Sequence, residues 1–311
     1  MPEISIVIPV YNSCECVGLL TQKIADALNG FDYEQIMVND CSHDTSWNEI
    51  TSVIQAGFPV VGINLRKNSG QDNAILAGLT HAAGNWIVIM DDDLQHSPSD
   101  ILSLYNEAKK GFDVCYADFP RKKQKLWKNI GSWLNGKCAE ILISKPKNLY
   151  LSPFKIMSGG VKDEIVRTGS LYPYIDGLIF QVTQNITQIT VEHHTRAAGK
   201  SNYNLIRSIK VFSKLLFGFS AIPLRISSYL GTLSAVAGFI LGLYYFISHL
   251  LHGSDVTGWT SIVVLILFIG GLNLLSLGII GEYLGRTYLT LNRTPRFAIK
   301  EIMRNDTAEK S

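Results

Sequence analysis

Two long uncharged runs in the last third of the chain constrain its fold more than any other feature of the sequence. Residues 226–251 and 259–281 contain no Lys, Arg, Asp or Glu. Each run is long enough for the roughly 20 helical residues that cross a hydrocarbon core of about 30 Å. The alternative, two buried helices of a soluble core, rarely needs uncharged stretches of this length. The sequence therefore predicts two transmembrane helices within residues 224–285.

Basic residues flank these runs but are missing between them. The connection 252–258 contains no Lys or Arg. Because cytoplasmic segments are enriched in Lys and Arg, we expect both flanks in the cytosol and the connection outside. This predicts a multi-pass protein of the inner (cytoplasmic) membrane, with residues 286–311 as a cytosolic tail. The flanking basic residues are Lys210, Lys214, Arg225, Arg286, Arg293, Arg296 and Lys300.

Composition adds two limits. The formal net charge is only +2, so the chain has no general basic character and we expect no nucleic-acid partner. Its five cysteines are an odd number without disulfide-rich spacing, which is typical of a reduced, cytosolic environment.

The first 120 residues alternate between short apolar segments and amphipathic segments. This alternation predicts an α/β fold with a mainly parallel sheet and flanking helices. A ligand is then expected beyond the carboxyl ends of the strands. The predicted strands are 4–10, 35–38, 60–65, 86–90 and 114–116, and the predicted helices are 17–28, 45–55, 71–83 and 99–109, the last with Ser97 as its cap and Pro98 in its first turn.

Two further segments interleave basic and apolar residues at helical spacing. They are 121–143, which contains Trp127 and Trp133, and 203–219, which runs directly into the first uncharged run. Such helices often lie in the headgroup plane of a bilayer, although an ordinary surface helix packed on the sheet is the alternative. We therefore predict a cytosolic domain at 1–202 and an interfacial amphipathic helix at 203–223.

Three consecutive carboxylates, Asp91, Asp92 and Asp93, directly follow the predicted strand 86–90. Neighbouring like charges are costly unless a positive charge neutralises them. A divalent cation that also carries phosphate oxygens is one solution, because Mg²⁺ and Mn²⁺ favour oxygen ligands. On an extended segment Asp91, Asp93 and Gln95 point the same way, which makes them the candidate metal ligands. A solvated acidic turn is the alternative that these residues leave open.

Several short motifs occur in a fixed order along the chain. They are Pro9-Val10-Tyr11-Asn12, Asn39-Asp40-x-Ser42, Arg66-x-Asn68-x-Gly70-Gln71, Asp91-x-Asp93-Leu94-Gln95-x-x-Pro98, Phe154-Lys155-Ile156-Met157-Ser158, Arg196-x-x-Gly199-Lys200-Ser201-x-Tyr203 and Gly281-Glu282-Tyr283-x-Gly285-Arg286-x-Tyr288. This order resembles the family 2 glycosyltransferases. Together with the membrane tail, it resembles more narrowly the polyprenyl-phosphate hexosyltransferases, and the likeness covers nearly the whole chain.

The resemblance implies a GT-A fold and an inverting transfer of a sugar from a nucleotide-sugar donor to a polyprenyl phosphate. The reaction would take place at the cytosolic face of the lipid bilayer with Mg²⁺ or Mn²⁺ as cofactor, and the resemblance allows a homo-oligomer. Two alternatives remain: a processive membrane polysaccharide synthase, and a non-catalytic partner of a lipid-linked sugar flippase. A processive synthase generally carries a Gln-x-x-Arg-Trp motif, which this chain lacks.

The resemblance also assigns residue roles. Donor binding would involve Pro9, Tyr11, Asn12, Asp40, Arg66, Asn68, Gly70, Gln71, Asp91 and Asp92, and the metal would meet Asp91, Asp93 and Gln95. Arg196, Lys200 and Ser201 are the candidates for binding the lipid phosphate. Asp93 and Arg196 are the principal catalytic candidates, and Asp176 is a reserve candidate as a base or for a sugar hydroxyl.

The chain departs from the family pattern at four places. Ser13 replaces a usual Glu, Asn39 replaces the first of two common acids, and Gly159-Gly160 replaces basic residues. Ser152-Pro153 stands where many relatives carry an acidic residue, so any protein base on the acceptor side is in doubt.

Overall fold

The chain divides into two units, each described here by itself. One comprises Met1–Ser208 and Pro295–Ser311, and the other comprises Ile209–Thr294. The structure is a computed structural model that describes residues 1–119, 140, 143, 145–147, 149–168, 173–191, 222–252, 258–292 and 295–305. Nearly all of the segment 121–143, all of 203–219 and residues 253–257 lie outside the described residues, so the predictions for them stay predictions.

Every strand and helix predicted in the first 120 residues is present, with bounds that differ by a few residues. Runs of Ile and Val form strands because the sheet is covered on both faces, and all residues of the first and third strands are buried. The strands are β1 Ile4–Val10, β2 Tyr33–Asn39, β3 Val60–Leu65, β4 Trp86–Ile89, β5 Val114–Asp118, β6 Lys155–Ser158, β7 Ile186–Thr190 and β8 Ile299–Met303, and the helices of this unit are α1 Cys14–Ala27, α2 Ser46–Gln55, α3 Gln71–Leu79, α4 Asp100–Ala108, α5 Gly159–Arg167 and α6 Ile175–Val182.

The eight strands form one mixed sheet in the order β7-β5-β6-β4-β1-β2-β3-β8. Strands β1 to β4 run parallel, so their carboxyl ends meet at one edge of the sheet. Strand β6 runs antiparallel to β4 and β5, and its first residue, Lys155, pairs with Ile89 and Tyr116 near the same edge. Helices α1, α2 and α4 pack over the Ile4, Ile6 and Ile8 face of β1, and α3 packs on the opposite face. The mainly parallel α/β fold is confirmed.

Strand β8 was not anticipated, because its residues fall in the segment expected to be a cytosolic tail. It pairs antiparallel with β3 and so becomes the outermost strand on that side of the sheet. The pairing is supported by the Arg66 backbone N–H, which donates to the carbonyl of Ala298 at 2.7 Å. A segment far along the chain thus completes the sheet of the first unit.

The cap predicted for α4 was wrong, although the helix begins within one residue of the predicted start. Ser97 does not cap the helix, because its hydroxyl pairs with the Ser99 hydroxyl at 2.7 Å. The N–H groups of Asp100 and Ile101 instead bond the carbonyls of Ser97 and Pro98, three residues earlier in each case. A tight turn of 3₁₀ type therefore precedes the helix, which begins at Asp100.

The second unit contains two long helices, α7 Ile222–His252 and α8 Trp259–Leu291. Segments Ile222–Tyr244 and Phe268–Leu291 are long and apolar enough to cross a membrane, and only 6% and 0% of the residues in their apolar windows are buried. Core helices of a soluble protein would bury most of these side chains. The helices contact each other through the Ser227 hydroxyl, which donates to the Ser276 hydroxyl at 2.7 Å.

Candidate active site

Four strand-end segments meet at the carboxyl edge of the parallel strands. The Tyr11-Asn12 turn follows β1, Asp40 follows β2, the loop 66–70 follows β3, and the carboxylates 91–93 follow β4. Most of the predicted donor-site residues therefore lie together at the carboxyl ends of the parallel strands, where ligands of such sheets bind.

The Tyr11-Asn12 turn is fixed by its neighbours on both sides. Asn12 has a φ of 54°, a left-handed conformation that Asn tolerates better than most residues. Its N–H donates to the Ser42 hydroxyl at 3.0 Å, and its Oδ1 accepts the His43 N–H at 2.8 Å. The Tyr11 N–H donates to Oδ2 of Asp92 at 3.4 Å, and the Tyr11 side chain is 45% exposed. An exposed aromatic ring on a fixed turn can stack on a nucleotide base.

Pro9 lies in the strand where the sequence predicts it, and its part in donor binding stays a prediction. It lies within β1, opposite Val38, and is buried.

Asp40 shapes the loop after β3. Its two carboxylate oxygens accept the N–H groups of Ser69 at 2.6 Å and Gly70 at 2.8 Å, and the Asn68 amide donates to the Asp40 carbonyl at 3.2 Å. Burial raises the pKa of Asp40, although the two backbone hydrogen bonds oppose this effect. Gly70 has a φ of 87°, which favours glycine, and it precedes the first residue of α3, Gln71. The contact of Asp40 with a base or ribose stays a prediction.

Arg66 has a structural contact that its sequence position did not indicate. Its Nε donates to the carbonyl of Ile299 in β8 at 3.2 Å. The side chain is exposed, and its role in phosphate recognition stays a prediction.

The carboxylates after β4 do not lie on an extended segment. The reason for selecting Asp91, Asp93 and Gln95, that alternate residues of an extended segment point the same way, was therefore wrong. Leu94 has a φ of 58°, and the Asp93 Oδ1 accepts the Gln95 N–H at 3.1 Å in a local turn. Left-handed backbone at a residue other than Gly is strained and clusters at functional sites. Asp91 is oriented from outside the turn, because the Gln71 side-chain amide donates to its Oδ1 at 2.7 Å.

Asp92 is a half-buried carboxylate beside the turn after β1. Burial raises its pKa, hydrogen bonds from Ser13 and Tyr11 oppose the rise, and the charge of Asp93 adds to it. Its contact with Tyr11 joins the acidic turn to the turn after β1.

The acidic turn fits a divalent cation that is shared with phosphate groups. Among the described residues, no group of three or more His, Cys, Asp and Glu side chains is placed to hold a metal by itself. A hard cation such as Mg²⁺ commonly takes one or two carboxylates and completes its shell with water and substrate phosphates. Asp91 and Asp93 would supply two such carboxylates, and the ligand set of Asp91, Asp93 and Gln95 stays a prediction.

Asp176 lies in the first turn of α6 and belongs to a buried cluster. Its Oδ1 accepts from the Lys155 ammonium and from the Tyr116 hydroxyl, the latter at 2.9 Å. Burial raises the pKa of Tyr116 well above its usual value, and burial and then the Asp176 charge raise the pKa of Tyr174. The sequence did not assign Lys155 a role, although a lysine between Phe154 and Ile156 at a strand start was a signal for a buried partner.

The expected acceptor side is only partly described. Arg196, Lys200 and Ser201 lie outside the residues that the structure describes. Ser152 is buried, and its hydroxyl accepts the Phe154 N–H at 3.1 Å, so it serves a local turn.

Comparison with known proteins finds glycosyltransferases among the similar sequences. The family model described as Glycosyl transferase family 2 matches residues 5–159. The uncharacterized glycosyltransferase YkcC of Bacillus subtilis is 30% identical over 96% of this chain and 94% of its own length. The undecaprenyl-phosphate 4-deoxy-4-formamido-L-arabinose transferase of Yersinia enterocolitica is 28% identical over 99% of this chain and 95% of its own length.

One solved structure supports the fold. Glucosyl-3-phosphoglycerate synthase from Mycobacterium tuberculosis, in complex with Mn²⁺ and uridine-diphosphate-glucose, has a TM-score of 0.51 and 17% identity, covering 69% of this chain and 78% of that chain. At this identity the likeness shows the fold alone, and it confirms the expected GT-A architecture.

Proposed function

This chain belongs to glycosyl transferase family 2, and we propose that it transfers a sugar from a nucleotide-sugar donor to a polyprenyl phosphate. The observation that carries the proposal is the meeting of the Tyr11-Asn12 turn with the acidic turn at one sheet edge, through the Tyr11 N–H and Asp92. This contact brings a surface for a base next to carboxylates suited to a diphosphate-bound cation.

The class of acceptor is inferred from the names of similar proteins. The Yersinia enterocolitica protein, which matches nearly the whole of this chain, is named as an undecaprenyl-phosphate 4-deoxy-4-formamido-L-arabinose transferase. The two long helices contain the apolar segments Ile222–Tyr244 and Phe268–Leu291, in whose apolar windows only 6% and 0% of the residues are buried. Such segments would place the chain at a bilayer where such a lipid resides. We infer a polyprenyl phosphate as acceptor and leave the sugar open.

We propose the following roles for the chain's own residues. The Tyr11 ring stacks on the base, while Asp91 and Asp93 hold the cation, Mg²⁺ or Mn²⁺, and Gln71 orients Asp91 through its amide. When bound, the cation neutralises the charge of the departing nucleotide diphosphate. A phosphate monoester has a second pKa of about 6, so the acceptor arrives deprotonated and needs alignment more than a protein base. Arg196 and Lys200 would supply that alignment.

We further propose that both long helices span the cytoplasmic membrane with the first unit in the cytosol. The missing Lys and Arg in residues 252–258 support this orientation. A homo-oligomer, which the family resemblance allows, is a further part of the proposal. Labelling of cysteines introduced at 252–258 from outside intact cells tests the orientation, which inaccessible positions would contradict.

The function is tested by incubating the purified chain with polyprenyl phosphate and a panel of nucleotide sugars, followed by mass analysis of the lipid. We expect one added sugar per lipid phosphate, and no product after removal of divalent cations. A polymeric product would instead support a processive synthase. No product with any donor in native membranes would support a non-catalytic partner.

A further inference from the structure

The C-terminal strand β8 contributes a side chain to a row of polar groups that leads to the donor site. Asn39 in β2 lies directly opposite Asn64 in β3, and Asn64 lies directly opposite Glu301 in β8. The Asn39 amide donates to Asn64 Oδ1 at 2.9 Å, and the Asn64 amide donates to Glu301 Oε1 at 2.8 Å. Asn39 and Asn64 are only 3% and 6% exposed, so these bonds have few alternative partners in water.

The direction of the row is fixed at both ends. The Asn39 Oδ1 accepts the backbone N–H of Ser42 at 3.2 Å, and a backbone N–H can only donate. The Asn39 amide nitrogen must therefore face Asn64. At the other end a carboxylate only accepts, so Asn64 must turn its amide nitrogen toward Glu301. The Lys300 ammonium, 3.9 Å from the same Glu301 oxygen, is an exposed neighbour of this end.

The row continues beyond β2 into the donor site. Ser42, which donates its N–H to Asn39, accepts the Asn12 N–H at its hydroxyl. Asn12 is joined to Tyr11, whose N–H meets the Asp92 carboxylate. A continuous chain of hydrogen bonds thus runs from Glu301 through two buried amides to the turn that presents Tyr11.

We propose that Glu301 is a positioning residue, which fixes the Tyr11-Asn12 turn through Asn64, Asn39 and Ser42 and so sets the affinity for the nucleotide-sugar donor. The inference rests on the proposed function and extends it to a strand outside the parallel core of the sheet. It also gives Asn39 a reason to differ from the common acid. An acid at position 39 could not donate to Asn64 while Glu301 holds the other end.

The polarity of the row supplies the test. In Asn39→Asp the new carboxylate faces Asn64 Oδ1, and neither oxygen can donate a hydrogen bond to the other. If Asn64 turns over to donate to it, its carbonyl oxygen faces the Glu301 carboxylate instead. Glu301→Gln provides an amide donor at that end. The double variant can therefore rebuild the whole row in reverse, with Asn64 donating to position 39 and accepting from position 301.

The test measures three quantities in the full-length chain: the donor KM, kcat, and the rate of backbone amide hydrogen exchange at residues 11–13. For Asn39→Asp we expect the donor KM to rise about tenfold or more, since a buried unsatisfied acceptor is costly, and exchange at 11–13 to accelerate. Glu301→Gln alone retains a carbonyl acceptor and should stay within about threefold of wild type. The double variant should recover most of the KM and the slow exchange.

The outcomes distinguish a failure of this inference from a failure of the proposed function. A donor KM within twofold of wild type in Asn39→Asp, with unchanged exchange at 11–13, overturns the inference, and so does a double variant no better than Asn39→Asp. A purely structural row would lower the unfolding temperature and the active fraction without changing the donor KM. If wild type transfers no sugar, the proposed function fails. The exchange data then decide alone whether the row fixes the turn.

Discussion

Lys155 and Asp176 form an ion pair whose side chains are only 4% and 14% exposed. The Tyr116 hydroxyl donates to the same Asp176 oxygen, and the Lys155 ammonium also lies 5.0 Å from the centre of the Tyr116 ring. Protonation of this carboxylate would remove the charge that balances a buried ammonium. The arrangement therefore favours an anchor between β6 and α6 over a general base.

The first prediction follows from this pair. Asp176→Asn should destabilise the first unit by about 3–5 kcal/mol, because it leaves the Lys155 charge buried and uncompensated. The kcat of the folded fraction should fall far less than in Arg196→Ala, whose damage should appear as weaker saturation by polyprenyl phosphate. Chemical unfolding and steady-state kinetics with titrated active sites measure the two effects separately.

Glu164→Gln is the matched control, because it removes an ion pair with Arg167 whose side chains are 51% and 74% exposed. Its cost should stay below about 1 kcal/mol. An Asp176→Asn protein with normal unfolding, normal acceptor binding and no turnover would assign Asp176 the role of a base after all.

The second prediction concerns the acidic turn. Asp91→Asn and Asp93→Asn should each lower kcat at least about 10³-fold, since loss of a metal ligand removes several kcal/mol of transition-state stabilisation. Gln71→Ala should cost less, about tenfold, because it only frees Asp91 to reorient. The variants should keep the wild-type circular dichroism spectrum. Turnover that survives in both Asp variants, or that ignores chelation of divalent cations, contradicts the site.

The third prediction is a pH dependence of stability. The pKa of Asp92 in the folded chain is raised above its ordinary value of 3.8, mainly by burial. The folded state therefore holds its proton to higher pH than the unfolded state, and stability falls as pH rises from about 3.8 through the raised pKa. Asp92→Asn removes this loss and still accepts the Tyr11 N–H. Its melting temperature without divalent cations at pH 7 should exceed that of wild type.

Asp44 provides the control of opposite sign. Burial alone would raise its pKa, but hydrogen bonds from Ser46 and Cys14 outweigh burial and lower it. Stability from Asp44 is then present above its ordinary pKa and lost as pH falls through the lowered one. Asp44→Asn should therefore reduce the melting temperature at pH 7. Equal shifts in the two variants would refute the assignment of opposite environments.

The sheet and the position of the site were predictable because local signals determine them. Ile- and Val-rich runs such as β1 and β3 predict buried strands. Ligands of parallel sheets bind beyond the carboxyl ends of the strands, which indicates where to expect the site. The conformation of the acidic turn was not predictable, because no local sequence pattern indicates a left-handed backbone at Leu94. Periodicity could not assign β8 to β3 either, because Asn64 and Glu301 are 237 residues apart. The Lys155 pair with Asp176 exists only once two separate elements pack.

The last prediction tests the packing of α3 on the sheet that carries the site. A Cβ at Gly78 would lie 2.4 Å from Cγ1 of Val7 and 3.2 Å from Cγ2 of Val38, both buried branched side chains with little room to move. Gly78→Ala should therefore cost about 1–3 kcal/mol through overpacking, despite the better helix propensity of Ala.

Gly18 in α1 is the matched position, because a Cβ there would meet nothing within 4 Å. Gly18→Ala should stabilise the chain by about 0.5–1 kcal/mol, the ordinary gain from replacing Gly inside a helix. Denaturant unfolding of both variants measures the contrast directly. Because α3 begins at Gln71, a shift of this helix also moves the amide that orients Asp91. We therefore expect Gly78→Ala to lower kcat together with stability, whereas Gly18→Ala leaves kcat unchanged. Equal stabilisation by the two substitutions would mean that α3 does not pack against Val7 as described.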